Sequence, residues 1–167
     1  MIARFLDLDE AVLLRKNDSL KKFLKDTVDE KNQSVISHFL NGTKFSFSMP
    51  DGKPGDWFVF NSGRNSYLVF SVSVRTHVNG DNAYSPVIYI FHLLPEEKNI
   101  RPYQYIGFDT AIPDTDKEKV RIGSAFIRNL MKRILKIGDP RDIYNFLVDK
   151  SHKIRWWTEE DLKDSLS

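Results

Sequence analysis

Residues Tyr67 to Leu94 restrict the fold more than any other stretch of the chain. Leu68, Phe70, Val72 and Val74 alternate with Tyr67, Val69, Ser71, Ser73 and Arg75. A polar segment from His77 to Ala83 follows, centred on Asn79-Gly80, and then a second apolar run from Val87 to Leu94. A period of two sends successive side chains to opposite faces of a strand. Asn-Gly supplies the positive backbone angles that a tight hairpin turn requires. The stretch therefore predicts a long antiparallel hairpin at the centre of the fold.

The flanking segments extend that hairpin into a sheet. Phe45, Phe47 and Met49 alternate with serines, and Pro50 to Gly55 forms a loop. Trp57 to Phe60 reads as a second strand, ended by a turn over Asn61–Asn65 that contains Gly63. After a polar loop over Pro95–Arg101, Pro102 to Phe108 reads as a fifth strand. Connections this short favour an antiparallel meander over parallel crossovers. Pro86 belongs at a strand start or an edge, because it cannot donate to a ladder.

Helical periodicity brackets the sheet. Asp7 and Glu10 suit the cap and third position of a short helix from Leu8 to Lys16. Leu20, Phe23, Leu24 and Val28, then Val35, Ile36, Phe39 and Leu40, recur at helical spacing. They predict one helix, or two broken near Lys31-Asn32, with a stop at Asn41-Gly42. Beyond the sheet, Val120 to Ile137 is helical. Gly138-Asp139-Pro140 ends it and opens another, with Asp139 as cap and Pro140 as first residue. Thr158-Glu159-Glu160-Asp161 resembles a capping box for a last short helix. The expected architecture is α+β in a single domain: N-terminal helices over 1–43, a five-stranded antiparallel meander over 44–108, and C-terminal helices over 116–167 packed on one sheet face.

Composition narrows the function classes. A chain with 41% apolar and 29% charged residues is that of a globular protein. It holds no cysteine, so disulfide frameworks and thiolate chemistry are excluded, which suits a reducing compartment. No apolar run approaches the roughly 20 residues of a membrane helix. Asp7, Asp9 and Glu10 are foreign to a signal peptide. The expectation is a soluble, cytoplasmic protein with no membrane contact.

The net charge of +2 is too small to name a partner, but its distribution is informative. Residues 1–43 carry seven acids and seven bases, residues 44–110 six and six, and residues 111–167 ten and twelve. Within Val120–Ile137 there is no acid and the net charge is +5. At 100° per residue, Arg121, Arg128, Lys132 and Lys136 share one side, opposite Phe126, Ile127, Leu130, Met131 and Ile134. Leu135 projects with the cations. A helix dipole rewards cations only in the last turn, so it does not account for Arg121 or Arg128. Two readings stay open: a solvated face paired with acids elsewhere, or a surface for an acidic protein or for phosphates. An apolar group gains nothing beside a phosphate, so Leu135 favours the protein partner. Reversing Arg128 and Lys132 to Glu should leave the fold intact, since both lie opposite the apolar side.

Other candidate chemistry is sparse. Ser71, Ser73, Arg75 and His77 share a strand face with His92 nearby, yet no Gly-x-Ser-x-Gly turn presents a nucleophile. His38, His77, His92 and His152 lack metal-ligand spacing. Asp109, Asp114 and Asp116 suit capping of the next helix better than a cation site. Neither Gly-x-x-x-x-Gly-Lys nor Gly-x-Gly-x-x-Gly occurs. No catalytic residue, metal or cofactor is therefore expected. Tyr103, Tyr105, Trp156 and Trp157 lie near basic residues and could stack on nucleic-acid bases; the alternative for the tryptophans is that one docks the last helix on the core. Three function classes result, in this order. The first is a non-enzymatic binding protein of the inhibitor, immunity or adaptor type, using Arg121, Arg128, Lys132, Leu135 and Lys136 on an acidic protein. The second is a nucleic-acid-binding protein. The third is an enzyme with a nonstandard site.

Overall fold

The computed structural model of the chain describes residues 11–39, 45, 46, 48–108 and 110–167. The expected helix start at Asp7–Glu10, the stop at Asn41-Gly42, Phe47, Asp109 and the side chain of His38 lie outside the described residues. The central hairpin stands as the sequence predicts. Strands β3 (Asn65–Val78) and β4 (Asp81–Leu94) pair antiparallel from Ser66 opposite Leu93 to Val78 opposite Asp81. Asn79 and Gly80 both have positive φ, 53° and 84°, as in the mirror-image turns whose twist matches that of the flanking strands. The ladder runs through His77 and Asn82 to the turn itself, because backbone pairing continues where side chains turn polar.

On the outer side of β3, strand β2 (Trp57–Ser62) pairs with residues 65–70, and the two-residue strand β1 (Phe45–Ser46) pairs with Val74 and Ser73. Strand β5 (Asn99–Gly107) lines β4, and the two-residue β6 (Ile112–Pro113), between the expected sheet and the expected C-terminal helices, pairs with Ala83 and Tyr84. All pairings are antiparallel, and β2 to β5 follow one another as a meander. The register shifts along β5: Ile90 faces Gln104, but Phe91 faces Pro102. Tyr103 is the extra residue of a bulge.

Two helices precede the sheet, α1 (Asn17–Thr27) and α2 (Glu30–Phe39), and they break at Val28-Asp29 rather than near Lys31-Asn32. Residues 11–16 are not helical. Leu14 exchanges two backbone hydrogen bonds with Trp57, at 2.9 and 2.8 Å, as a short strand beside β2. Over these residues, tertiary pairing with an otherwise open sheet edge prevails over helix formation.

Three helices follow the sheet. Helix α3 (Lys117–Ile134) starts earlier than its periodicity predicts, capped by Asp116, whose carboxylate accepts from the Lys119 amide at 3.1 Å. It ends at Ile134, and Leu135 to Ile137 form a turn. Helix α4 (Pro140–Lys153) is capped by Asp139, and α5 (Glu159–Asp164) by the Thr158–Asp161 box.

The sheet is covered on both faces. Phe58, Phe60, Val69, Ile88, Ile90 and Ile106 form one core with Phe126, Ile127, Leu130 and Ile134 of α3 and Ile143 and Leu147 of α4. Val59, Leu68, Phe70, Val72, Phe91 and Leu93 form a second core with Leu20 and Leu24 of α1, with Val28 just after it, and with Ile36 of α2. The C-terminal helices occupy one face and the N-terminal helices the other. That is why β3 and β4 are apolar on both faces over residues 67–70 and 87–91 instead of alternating with polar residues there. Gly123 lets α3 lie close to the sheet. A Cβ there would stand 2.3 Å from Ile112 Cδ1, with the buried Trp157 ring at 3.6 Å behind it.

Candidate functional site

The basic arc of α3 is less uniform than its sequence suggests. Because the helix begins at Lys117, it includes Glu118, one turn before Arg121. The Arg121 guanidinium pairs with both Glu118 and Glu159 of α5. Hydrogen bonding to Arg121 holds the exposed Glu118 carboxyl below its usual range, and the same bonds hold Arg121 firmly protonated. Arg128 is also engaged. Its Nη1 and Nη2 donate to Oδ2 and Oδ1 of Asp51 at 2.8 and 2.9 Å, the fork-to-fork arrangement suited to a guanidinium and a carboxylate. The Asp51 amide in turn donates to Ser124 Oγ on α3 at 3.2 Å. Burial pushes the Asp51 carboxyl upward, but the bonds from Arg128 and the Lys53 amide outweigh it and leave the group below its ordinary value.

The last two cations differ. Lys132 and Lys136 are exposed and form no ion pair among the described residues. Leu135 is half-buried between them at the edge of the core. Arg133 lies over the Phe146 ring, 4.9 Å from its centroid, and donates to the Ser167 carbonyl oxygen. Lys132, Arg133, Leu135 and Lys136 together line a shallow depression.

The four aromatic candidates do not form one surface. Trp157 is 1% exposed, donates from Nε1 to the Thr110 carbonyl at 2.7 Å and packs edge-on against Phe126. It docks the chain on the core and is not open to a stacking base. Trp156 beside it is 67% exposed. The bulge on β5 separates the tyrosines: Tyr103 meets the edge of Tyr67 on the α3 side, while Tyr105 stacks on Tyr89 on the α1 side.

A polar cluster that the sequence does not announce lies under the sheet end of α3. Asp56 precedes β2 and points toward α3. Its amide donates to Ser71 Oγ at 3.0 Å, and its carbonyl accepts from the Ser71 amide at 3.0 Å. The mid-strand serine is thus spent on backbone bonding. The Asp56 side chain is fully buried; among the described residues it pairs with Arg15, Nε to Oδ1 at 3.0 Å, and neither carboxylate oxygen has a well-aligned hydrogen bond. Burial pushes its carboxyl above the ordinary range, against the charges of Arg15, Arg128 and Lys132. Ser73, two positions along the same strand face, is buried, with no partner for its hydroxyl among the described residues. The expected helix over Leu8–Lys16 hides Arg15 from sequence reasoning. The signal available was the run Gly55-Asp56-Trp57, an acid opening an apolar strand across from two serines.

No group here forms a nucleophile–base pair. His77 and His152 are exposed, and His92 stacks on Tyr67 at 5.2 Å. Among the described residues no three metal-ligating side chains gather, and no helix is long and apolar enough to cross a membrane. What the arrangement offers is charge complementarity on one surface and a buried acid behind it. Compared with protein-family models, curated proteins and solved structures, the chain matches none of them.

Proposed function

We propose that the protein is a binding protein that recognises an acidic segment of another protein through the C-terminal end of α3. The surface is narrower than the whole basic arc. Arg121 is neutralised at the surface by two exposed acids and Arg128 is largely buried against Asp51, so the working residues are Lys132, Leu135 and Lys136, with Arg133 beside them. The observation that carries the reading is that Lys132 and Lys136 stand exposed around a half-buried leucine, with no acid paired to either among the described residues. Exposed cations around an apolar contact speed association with an acidic surface and give it a point to bury.

The test compares fluorescein-labelled poly-L-glutamate with a labelled oligo-dT. Changing Lys132 and Lys136 together to Glu should weaken poly-L-glutamate binding and slow its association, and added salt should reproduce part of the loss. Leu135→Ala separates protein from nucleic acid: it should weaken an acidic peptide with apolar residues and leave oligo-dT untouched. Stronger binding to oligo-dT, with a log–log salt slope that shrinks when the lysines are reversed, would instead favour nucleic acid. Unchanged binding of both probes would return this face to solvent.

A further inference from the structure

Arg15 and Lys132 are far apart in the chain, yet their charges act on one carboxylate, that of Asp56. Arg15 stands directly across from Asp56, because Leu14 pairs antiparallel with Trp57. Arg128 and Lys132 of α3 bear on the same carboxyl through their charges, without a direct contact from Lys132. The acid has no solvent exposure, whereas the Arg15 side chain is 51% exposed and Lys132 is exposed. Asp51 and Arg128 repeat the pairing beside it. At Arg15 the acid lies beneath and the cation outside, so the outward face there stays positive while Asp56 holds the guanidinium from behind.

We infer that Arg15 is a second carboxylate-binding point of the proposed surface, held in place by the buried Asp56, so that an acidic segment of the partner runs from the end of α3 to the outer edge of β2. The inference rests on the reading of α3 given above and extends it across the sheet edge. Asp56 is a positioning residue: it touches Arg15, not the partner. Its cost to the fold, a buried carboxylate without an aligned hydrogen bond, is the kind of local violation retained where a group has work to do.

The sign of one substitution separates positioning from simple electrostatics. Asp56→Asn removes a negative charge from beneath a cationic surface, so electrostatics alone predicts tighter binding of fluorescein-labelled poly-L-glutamate. Positioning predicts weaker binding, by up to about fivefold, the upper range of one exposed ion pair. Arg15→Gln should cause a similar loss, and adding it to Asp56→Asn should cost nothing further. Circular dichroism and the urea midpoint check the fold of each variant. Should Asp56→Asn fail to fold, Arg15→Gln, at a half-exposed site, carries the test alone. Unchanged or tighter binding by either variant, while the Lys132 and Lys136 reversals weaken it, overturns the role of Arg15 and leaves the α3 surface standing. No effect from any of the four changes overturns both.

Discussion

Arg128 and Asp51 meet through two parallel hydrogen bonds across 77 residues of chain. The pair ties the middle of α3 to the loop before β2, with the side chains 19% and 21% exposed. It therefore serves the fold, and the expectation that Arg128 can be reversed without structural cost does not hold.

Arg128→Glu should destabilise the protein by about 1–3 kcal/mol, between the value of an exposed pair and that of breaking a buried one. Lys132→Glu with Lys136→Glu should stay within about 0.5 kcal/mol of wild type, as surface changes usually do. Urea unfolding of the two variants measures the contrast. Equal costs would mean that the Asp51 contact is incidental.

Asp51 and Asp56 should leave opposite marks on the pH dependence of stability. The Asp51 carboxyl is lowered from its ordinary 3.8, so its contribution is complete above that value and lost as pH falls through the lower folded-state value. The Asp56 carboxyl is raised from 3.8, so its contribution is present below that value and lost as pH climbs through the folded-state value. Removing Asp51's partner with Arg128→Met should flatten the acid limb of the stability curve. Asp56→Asn should gain on wild type as pH rises from 3.8 upward. Denaturation at a series of pH values reads both, and parallel curves for wild type and Asp56→Asn would refute the second.

Phe70 and Phe91 are fully buried and stack with centroids 5.5 Å apart and planes 7° from parallel. Truncating either to Ala should cost about 3–5 kcal/mol. Ring stacking predicts that the two losses are not additive, with a coupling on the order of 1 kcal/mol in a double-mutant cycle.

Gly123→Ala sets two effects against each other. Helix propensity favours Ala by about 1 kcal/mol. The new methyl group meets the buried Ile112 at 2.3 Å with Trp157 behind it, and overpacking of this kind costs about 1–3 kcal/mol. The net should be destabilising, with a shift in the fluorescence of Trp157. A rise in the melting temperature would show that Ile112 can swing aside freely.

The hairpin, the meander and the helix caps at Asp139 and Thr158 were legible because each is written in local chemistry: alternation, Asn-Gly, and a capping residue at the right offset. The covering of both sheet faces was only half legible. Apolar residues at consecutive positions of β3 and β4 hinted at it, but which helices lie on which face is a long-range matter. The segment carrying Leu14 and Arg15 misled, because a strand beside β2 and a capped helix draw on similar residues. The basic arc of α3 was visible on a helical wheel. That two of its cations are claimed by Asp51 and Glu159 depends on chain separations that no periodicity encodes.

Strands that are greasy on both sides have little to tell them which way to face. Slipping β3 by one residue against its neighbours would trade one apolar surface for another, so hydrophobicity alone scarcely penalises the error. The polar exceptions supply the missing alignment. Ser71 exchanges bonds with the Asp56 backbone, and the Asp56 side chain pairs with Arg15. A one-residue slip would separate those partners and turn the serines toward the layer of Phe70 and Phe91. The few polar residues buried along β2 and β3 act as an indexing mark for the sheet, one that a wholly apolar pair of strands would lack.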